Sequence, residues 1–495
     1  MHLLSIAPHH VKALRPANAF AVLWLSILFL ALMPSAEAAG EDNVLEGIDQ
    51  YLSESVSSLS APGVAVALLH HGDVVYTRVW GVTGGSKTAV TTDTPFLIGS
   101  VSKPLTALAI GQLVDAGRID LDAPISKYLE GFSVTTPSGD PARIKVRDLL
   151  GHTSGFSTGS GLRVADLGLR GPESLMRAVD LLNGEVLAAM PGERHIYSNA
   201  NYLLLGAVIE RQTGELFSDF MQTEVFDRLG MRHAAADHAR AVQNGWQPGY
   251  RSWYGRSIAN APIFDDAGAS YGYLTASISD LARFAAELMQ PTAFPESFVR
   301  TLFQPLSSFG QDMGYGWGWR TGKLGGEDSF AWHAGANADF RAEVAMLPEY
   351  GWAIVVLTNR NNILEEERVS RMVIGVANLL RGQEAKPLPN SVPILRWVFG
   401  GLVGVLMILT ITIGYWSARS TKPLRRTWFA WLCVATMLAA GLALIPTILT
   451  AHQVSWRTTH LFMPDIAASA VLASVLLILM AALTFRRILG PRKTD

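Results

Sequence analysis

Three apolar runs near the C-terminus limit what this 495-residue chain can fold into. They occupy residues 397–416, 428–449 and 466–485, and none of them contains Asp, Glu, Lys or Arg. A helix of about 20 apolar residues is needed to cross roughly 30 Å of hydrocarbon. We therefore predict three transmembrane helices at these positions, with membrane lipid around them. Their freedom from charge argues against a proton or ion path.

Basic residues flank these runs unevenly. The loop between the first two runs and the tail 486–495 carry four Lys or Arg residues each, whereas the loop between the last two runs has only Arg457 and Asp465. Positively charged loops stay in the cytoplasm, so both basic segments are predicted to be cytoplasmic. Three crossings then place the chain before residue 397 on the outer side.

The N-terminus supports the same orientation. Lys12 and Arg15 precede an apolar run over 19–33, and the small residues Ala36 and Ala38 follow it. This pattern predicts a secretory signal peptide over 1–38; an uncleaved anchor is the alternative and leaves the next domain on the same side. We expect a periplasmic domain over 41–383, a linker over 384–396, and a multi-pass protein of the inner membrane.

Composition excludes several function classes. The formal net charge is −2, so nothing suggests nucleic acid as a partner. The one cysteine, Cys433, lies in an apolar run, which excludes an intrachain disulfide and a thiolate metal cluster. Zinc-protease spacing is absent, so no metal or cofactor is predicted. The sequence does not indicate an oligomeric state.

The sequence pattern of the outer domain predicts an α/β (α+β) fold. Strand-like runs lie at both of its ends, over 63–82 and 330–359, and a helical pattern follows over 364–380. Between them the patterns are mostly helical, over 142–151, 198–214, 216–230 and 277–289. This arrangement favours one antiparallel sheet, built from both ends of the domain and packed against a helical insert.

Ser100 and Lys103 stand three residues apart where an apolar helix begins. Residues i and i+3 share a helix face, so the lysine amine would lie beside the serine hydroxyl. Burial next to positive charge lowers the pKa of a lysine, and the neutral amine can then accept the serine proton. The pair alone is a weak signal, because a helix-capping serine followed by a solvated lysine has the same sequence pattern.

Two further motifs follow in order, Tyr197-Ser198-Asn199 and His333-Ala334-Gly335. Tyr197 could act as a phenolate base and later protonate a leaving group, and Asn199 could bind a substrate carbonyl. The strand after His333 could supply a backbone N–H to an oxyanion hole. Each residue taken alone has a structural alternative. Tyr197 could be a helix-entry residue, Asn199 a helix cap and His333 a buried strand histidine.

The ordered set Ser-x-x-Lys, Tyr-x-Asn and His-x-Gly resembles the penicillin-recognising serine hydrolases: class C β-lactamases, D,D-carboxypeptidases, D-aminopeptidases and related esterases. Stretches 98–129, 146–156 and 271–289 are similar to that family's nucleophile helix, its Leu-Leu-x-His-Thr-Ser-Gly turn and its Gly-x-x-Ser-x-x-Asp-Leu helix. The resemblance spans 44–380. It implies a β-lactamase-like antiparallel sheet flanked by helices, with an all-helical subdomain.

The same resemblance implies the roles of the site residues. Ser100 is the acylated nucleophile, and Lys103 and Tyr197 are its acid/base partners. The N–H groups of Ser100 and Ala336 form the oxyanion hole. Asn199, His333 and Gly335 line the site, whereas His152, Thr153, Ser154 and Gly155 form a structural turn near the cleft.

The third motif bears on the substrate. It reads His-Ala-Gly, where dedicated β-lactamases more often have Lys-Thr-Gly. A neutral histidine cannot pair with a substrate carboxylate as a lysine can, so esters, internal amides and D-aminopeptidase-like substrates fit better, unless another basic residue replaces the charge.

The domain order narrows the resemblance further. A signal sequence, an outer hydrolase domain and three C-terminal helices resemble the membrane-bound peptidases that mature colibactin and related antibiotics by removing an N-acyl-D-asparagine cap. Asn337 stands where that subgroup has an asparagine that helps to hold the D-Asn side chain; a strand-end turn residue is the alternative.

We therefore expect a membrane-anchored serine peptidase or amidase that cleaves an amide next to a D-amino acid, in a small-molecule or peptide substrate. Prodrug maturation and trimming of cell-wall D-peptides are two forms of this function. The alternatives are a β-lactamase-like enzyme or esterase, and a receptor that is acylated without turnover.

Overall fold

The computed structural model describes residues 36–261, 263–389, 393–420, 424, 427–452 and 455–489. The predicted signal peptide lies almost wholly outside these residues. So do five of the basic residues behind the predicted orientation, Lys422, Arg425, Arg426, Arg492 and Lys493. The signal peptide and the membrane orientation therefore remain predictions.

An antiparallel sheet forms the framework of the domain. In the described part of the chain it has eight strands in the order β2-β1-β12-β11-β10-β9-β8-β7. Their bounds are β1 Gly63–His70, β2 Asp73–Gly81, β7 Ser307–Ser308, β8 Gly314–Gly316, β9 Trp319–Leu324, β10 Asp328–Ala336, β11 Arg341–Leu347 and β12 Trp352–Thr358. Strand β1 pairs with β12 from Val64–Thr358 to His70–Trp352, so the two ends of the domain meet in one sheet as predicted.

Five shorter strands lie outside the main sheet: β3 Phe96–Leu97, β4 Tyr250–Trp253, β5 Arg256–Ala259, β6 Thr275–Ala276 and β13 Arg360–Asn361. The β3–β6 pair matters for function because β3 directly precedes the serine motif. The sequence patterns did not predict these strands.

Helices cover the sheet and form the insert. Their bounds are α1 Ala36–Leu59, α2 Ser102–Asp115, α3 Val146–Leu150, α4 Thr158–Arg163, α5 Ser174–Asp180, α6 Asn199–Thr213, α7 Phe217–Met221, α8 Asp227–Leu229, α9 His238–Gln243, α10 Ile278–Met289, α11 Glu296–Thr301 and α12 Glu366–Leu380. The predicted helix over 142–151 is wrong in its first half, because Lys145 lies extended and bridges Pro124.

Helix α2 is the centre of the core. Most of its side chains are buried, including Lys103 and Thr106. It packs against α6 and against a π-helical turn over Ala269–Tyr273. A helix that is apolar on nearly every side can be stable only in the interior, so the residues that open α2 are held rigidly.

Three long helices follow the outer domain: α13 Ile394–Arg419, α14 Trp428–His452 and α16 Pro464–Leu489. Each is long and apolar enough to cross a membrane, which supports the three predicted transmembrane segments. Between α14 and α16 lies a seven-residue helix that the sequence analysis did not predict, α15 Trp456–Phe462. We call it the linker helix.

Candidate active site

Ser100 lies in a tight turn ahead of α2. The turn is a 3-10 helix over Gly99–Val101, and Gly99 has a φ of +52°. The Ser102 hydroxyl donates to the Gly99 carbonyl at 2.8 Å and accepts from the Leu274 N–H at 3.2 Å. These bonds anchor the turn and present the Ser100 side chain to a cleft.

Lys103 lies one helical turn further, beside that hydroxyl, as the spacing predicts. Its Nζ is 2.9 Å from Ser100 Oγ, 2.9 Å from Asn199 Oδ1 and 2.8 Å from the Tyr271 carbonyl oxygen. Asn199 and Tyr271 offer only acceptor atoms to it. In the neutral amine, the two N–H groups therefore donate to these two oxygens, and the lone pair can accept the proton of the serine hydroxyl.

The electrostatics of the site favour that neutral form. Lys103 is fully buried. Desolvation, and then repulsion from the nearby Arg320, hold the pKa of its ammonium well below the ordinary value of 10.5. A buried lysine with a lowered pKa is equipped to act as a base near neutral pH.

Tyr197 joins the pair. Its hydroxyl is close enough to the Ser100 side chain to interact with it, and Lys103 Nζ is 5.0 Å from the centre of its ring. Burial raises the pKa of the Tyr197 hydroxyl, despite a smaller lowering effect of Arg320. The structure thus favours a neutral phenol, which donates a proton, over the phenolate base that the sequence suggested.

The His152–Gly155 turn supports Tyr197 from behind. The His152 ring lies 4.4 Å from the Tyr197 ring, and the fully buried His152 has a φ of +57°. Asn201 on α6 fastens the turn: its Nδ2 lies 2.6 Å from His152 Nδ1, and its Oδ1 accepts from Ser154 Oγ at 2.5 Å. These contacts favour the positioning role expected for the turn.

Gly335 lets strand β10 approach the nucleophile turn. A Cβ at Gly335 would lie 1.9 Å from the Ile98 carbonyl oxygen and 2.9 Å from Ser100 N. One at Gly99 would lie 2.2 Å from Ala336 N. The backbone nitrogens of Ser100 and Ala336 are therefore brought close together, as the expected oxyanion hole requires.

His333 lies beside the tyrosines of the site. It is fully buried, its Nε2 lies 3.2 Å from the Tyr315 hydroxyl, and the centre of its ring is 6.4 Å from that of Tyr197. Desolvation and the charges of Arg320 and Lys103 keep its pKa well below the ordinary value, so it is neutral. His333 supports the tyrosines and does not line the open cavity beside Ser100.

Arg320 is a charged residue of the site that the motifs missed. It lies on β9 opposite Trp332 of β10, and its guanidinium carbon is 5.6 Å from the centre of the Tyr197 ring. The neighbouring strand therefore places a cation beside the tyrosine of the site. An isolated arginine in a short, polar strand carries no sequence signal of this role.

A cavity of about 140 Å³ opens beside Ser100. Asn199, Ala336 and Asn337 line one side of it. Asn337 Nδ2 donates to the Gly272 carbonyl at 2.9 Å, and its Oδ1 is buried without a hydrogen-bond partner among the described residues. Buried acceptors are nearly always paired, so this unpaired oxygen is an exception, and it belongs to a residue that lines the cavity.

Comparisons with known proteins agree with this fold. Residues 48–379 match the family model described as Beta-lactamase. The chain is 24% identical over 413 residues to "Protein flp" of Staphylococcus aureus strain MRSA252, covering 80% of this chain and 81% of that protein. It is 28% identical over 315 residues to "Penicillin-binding protein 4" of Amycolatopsis lactamdurans, covering 60% of this chain and 81% of that protein.

Two solved structures share the fold. One is the octameric penicillin-binding protein homologue from Pyrococcus abyssi, with a TM-score of 0.60 and 23% identity over 70% of this chain and 79% of that chain. The other is EstCE1, a hydrolase with promiscuous acyltransferase activity, with a TM-score of 0.59 and 19% identity over 69% of this chain and 99% of that chain.

Proposed function

The chain belongs to the Beta-lactamase family of serine hydrolases, and on that basis we propose that it is a membrane-anchored serine peptidase or amidase that works through an acyl-enzyme on Ser100. The observation that carries the proposal is the buried Lys103 amine, which lies 2.9 Å from the serine hydroxyl while two other acceptors hold it in place.

Acylation begins at the serine. The neutral Lys103 amine takes the hydroxyl proton as Ser100 Oγ attacks the substrate carbonyl carbon. The carbonyl oxygen becomes an oxyanion, which the N–H groups of Ser100 and Ala336 stabilise. The rigid α2 holds the base, and the anchored turn ahead of it holds the nucleophile, so little reorganisation is required.

Collapse of the tetrahedral intermediate releases the leaving group. Tyr197 donates its phenolic proton to the departing nitrogen and regains one from the Lys103 ammonium. Water then attacks the acyl-enzyme, with the same groups taking its proton and returning one to Ser100. A raised phenol pKa keeps Tyr197 protonated for the first of these steps.

The finer proposal is an acyl group that ends in a D-amino acid with a side-chain amide, such as N-acyl-D-asparagine. Two features support it. Asn337 lines the cavity and has a buried oxygen without a hydrogen-bond partner among the described residues, and an amide N–H is the group that would satisfy it. The cavity is also small, about 140 Å³, which suits one compact side chain.

Chromogenic anilides test this proposal. Membranes that contain the protein are incubated with the 4-nitroanilides of N-acetyl-D-asparagine and N-acetyl-L-asparagine. We expect cleavage of the D form only, lost in Ser100→Ala and retained in Ser138→Ala, a change at an exposed loop serine. Equal cleavage of both enantiomers would remove the D-specific claim, and cleavage by Ser100→Ala would remove the serine mechanism.

Arg320 favours one second candidate, the hydrolysis of a β-lactam or of a peptide with a free carboxylate. Its guanidinium could pair with the carboxylate that these substrates carry. A chromogenic cephalosporin separates the two candidates. Hydrolysis faster than that of the D-asparagine anilide, and reduced in Arg320→Gln by a larger factor than hydrolysis of the anilide, would favour the β-lactamase-like function.

A further inference from the structure

The cavity beside Ser100 has one wall that comes from the membrane region. Thr458 and Phe462 of the linker helix line it, together with residues of the hydrolase domain. They are four residues apart and so share one face of the helix. Thr458 is buried and Phe462 is partly buried, so this face is turned toward the hydrolase domain.

Hydrogen bonds fix the linker helix on two sides of the cavity. Arg457 donates to the Arg163 carbonyl at 2.9 Å, next to the cavity-lining Leu162. At the other end, the Phe462 carbonyl accepts from the N–H of Ile363, which also lines the cavity, at 3.2 Å.

The position of the cavity assigns it to the acyl side of the scissile bond. A leaving amine must depart near the Tyr197 hydroxyl, which protonates it. Tyr197 and Arg320 do not line this cavity, whereas the oxyanion residue Ala336 does. The carbonyl carbon bonded to Ser100 therefore carries its remaining substituent into the space that the linker helix closes.

The chemistry of the walls selects the substituent. Two carboxylates line the cavity: Asp166, which accepts from the Tyr273 hydroxyl at 2.5 Å, and Glu366, which pairs with Arg341 at 3.5 Å. No Lys or Arg is among the described residues that line it. Asn337 adds an unpartnered acceptor oxygen. The walls therefore favour a group that donates N–H bonds, a primary amide or an ammonium, and disfavour a carboxylate.

We propose that the linker helix is a specificity element of the active site, in which Thr458 and Phe462 close the subsite that receives an N–H-donating side chain of the acyl group. This inference rests on the proposed function, because it takes Ser100 as the acylated residue. It gives the membrane region a part in substrate selection besides anchoring the enzyme.

The experiment uses the full-length protein in lipid nanodiscs. Four esters and anilides are compared: 4-nitrophenyl acetate, which is too small to fill the subsite, and the 4-nitroanilides of N-acetyl-D-asparagine, N-acetyl-D-aspartate and N-acetyl-D-leucine. The variants are Phe462→Ala and Thr458→Val. The control is His460→Ala, whose exposed side chain points away from the cavity on the same helix.

We expect the wild type to prefer the D-asparagine anilide over the D-aspartate anilide. Each linker variant should lower kcat/KM for the D-asparagine anilide by about tenfold, the size expected when one wall of a specificity pocket is lost. Hydrolysis of the acetate ester by the linker variants should stay within about twofold of the wild-type rate. In His460→Ala, hydrolysis of both the ester and the D-asparagine anilide should stay within the same range.

Two results would overturn the inference: unchanged selectivity in both linker variants, or an equal loss on the ester and the anilides. The failure of the proposed function is a separate result. It would show as a wild-type protein whose Ser100 is not labelled by a fluorophosphonate probe.

Discussion

At the scale of single residues, the account depends on the protonation of Lys103. Its amine can take the Ser100 proton only when it is neutral, and its pKa is lowered by burial and by Arg320. The activity should therefore rise with pH along an acidic limb that lies well below the ordinary lysine value of 10.5.

Replacing Arg320 tests this electrostatic coupling. Arg320→Gln removes a positive charge that disfavours the ammonium, so the pKa of Lys103 should rise. The acidic limb of the kcat/KM profile should then move to higher pH, with less activity at neutral pH. The matched control is Lys323→Gln, an exposed residue on the same strand. A shift to lower pH, or equal shifts in both variants, would contradict the assignment.

Gly335 gives a steric prediction. In Gly335→Ala the new Cβ would lie 1.9 Å from the Ile98 carbonyl oxygen, so β10 must move away from the nucleophile turn. A displacement near 1 Å at a catalytic group costs on the order of 100-fold in rate. We expect kcat on 4-nitrophenyl acetate to fall by about that factor.

Gly47→Ala is the control for this change, because a Cβ there meets nothing within 4 Å. The melting temperature of both variants shows whether the protein remains folded. A Gly335→Ala enzyme that is folded and fully active would show that the close approach does not matter.

The sequence predicted the residues that lie in short, ordered motifs. Ser100 and Lys103 lie side by side as their spacing implied, and Tyr197 and Asn199 join them as the family resemblance implied. It could not predict Arg320, because only the register of β9 against β10 brings that side chain to the site. Nor could it predict the Tyr271 carbonyl, since a backbone acceptor has no sequence letter of its own.

At the scale of elements, the His152–Gly155 turn and α6 jointly hold Tyr197 in position. Asn201 links the two by bonds to His152 and Ser154, and all three of these residues are buried. A buried polar group that loses its partner costs about 1–3 kcal/mol.

Asn201→Leu tests this support because leucine keeps the volume and removes both bonds. We expect a loss of about 1–3 kcal/mol in the free energy of unfolding, together with a fall in kcat and little change in KM. Chemical denaturation and steady-state kinetics measure the two effects. Asn183→Leu, in an exposed loop of the same insert, is the control. Loss of stability with an unchanged kcat would show that the turn does not position Tyr197.

Long, strongly patterned elements were predicted well and short ones were not. The paired strands at both ends of the domain and the three apolar helices have clear periodicity or length. Strands of two or three residues, such as β7 and β8, are too short to show an alternation. The linker helix has seven residues, fewer than two full turns, so no helical period could identify it.

At the scale of the whole molecule, a buried ion cluster joins the hydrolase domain to the membrane helices. Arg396, near the start of α13, pairs with Asp465 of α16 at 2.7 Å and with Glu365 of the hydrolase domain. Arg396 and Asp465 are fully buried. The Tyr254 N–H also donates to Asp465 at 3.1 Å.

Breaking this ion cluster should weaken the contact between the hydrolase domain and the membrane helices. Asp465→Asn leaves Arg396 buried with less countercharge, and removal of one partner of a buried pair costs about 3–5 kcal/mol. We expect a lower melting temperature in nanodiscs and weaker use of the D-asparagine anilide, since the linker helix precedes Asp465 directly. Arg419→Gln, at the exposed far end of α13, is the control. An unchanged melting temperature would contradict a stabilising role for the cluster.

The central claim is that Ser100 carries the acyl group during turnover. Its most direct test is rapid acid quenching of the full-length enzyme with N-acetyl-D-asparagine 4-nitroanilide, followed by mass spectrometry of the peptide that contains Ser100. The account predicts an N-acetylasparaginyl mass on that peptide that disappears as the substrate is exhausted. Product formation with Ser100 unmodified, or an adduct that persists without product release, would contradict it.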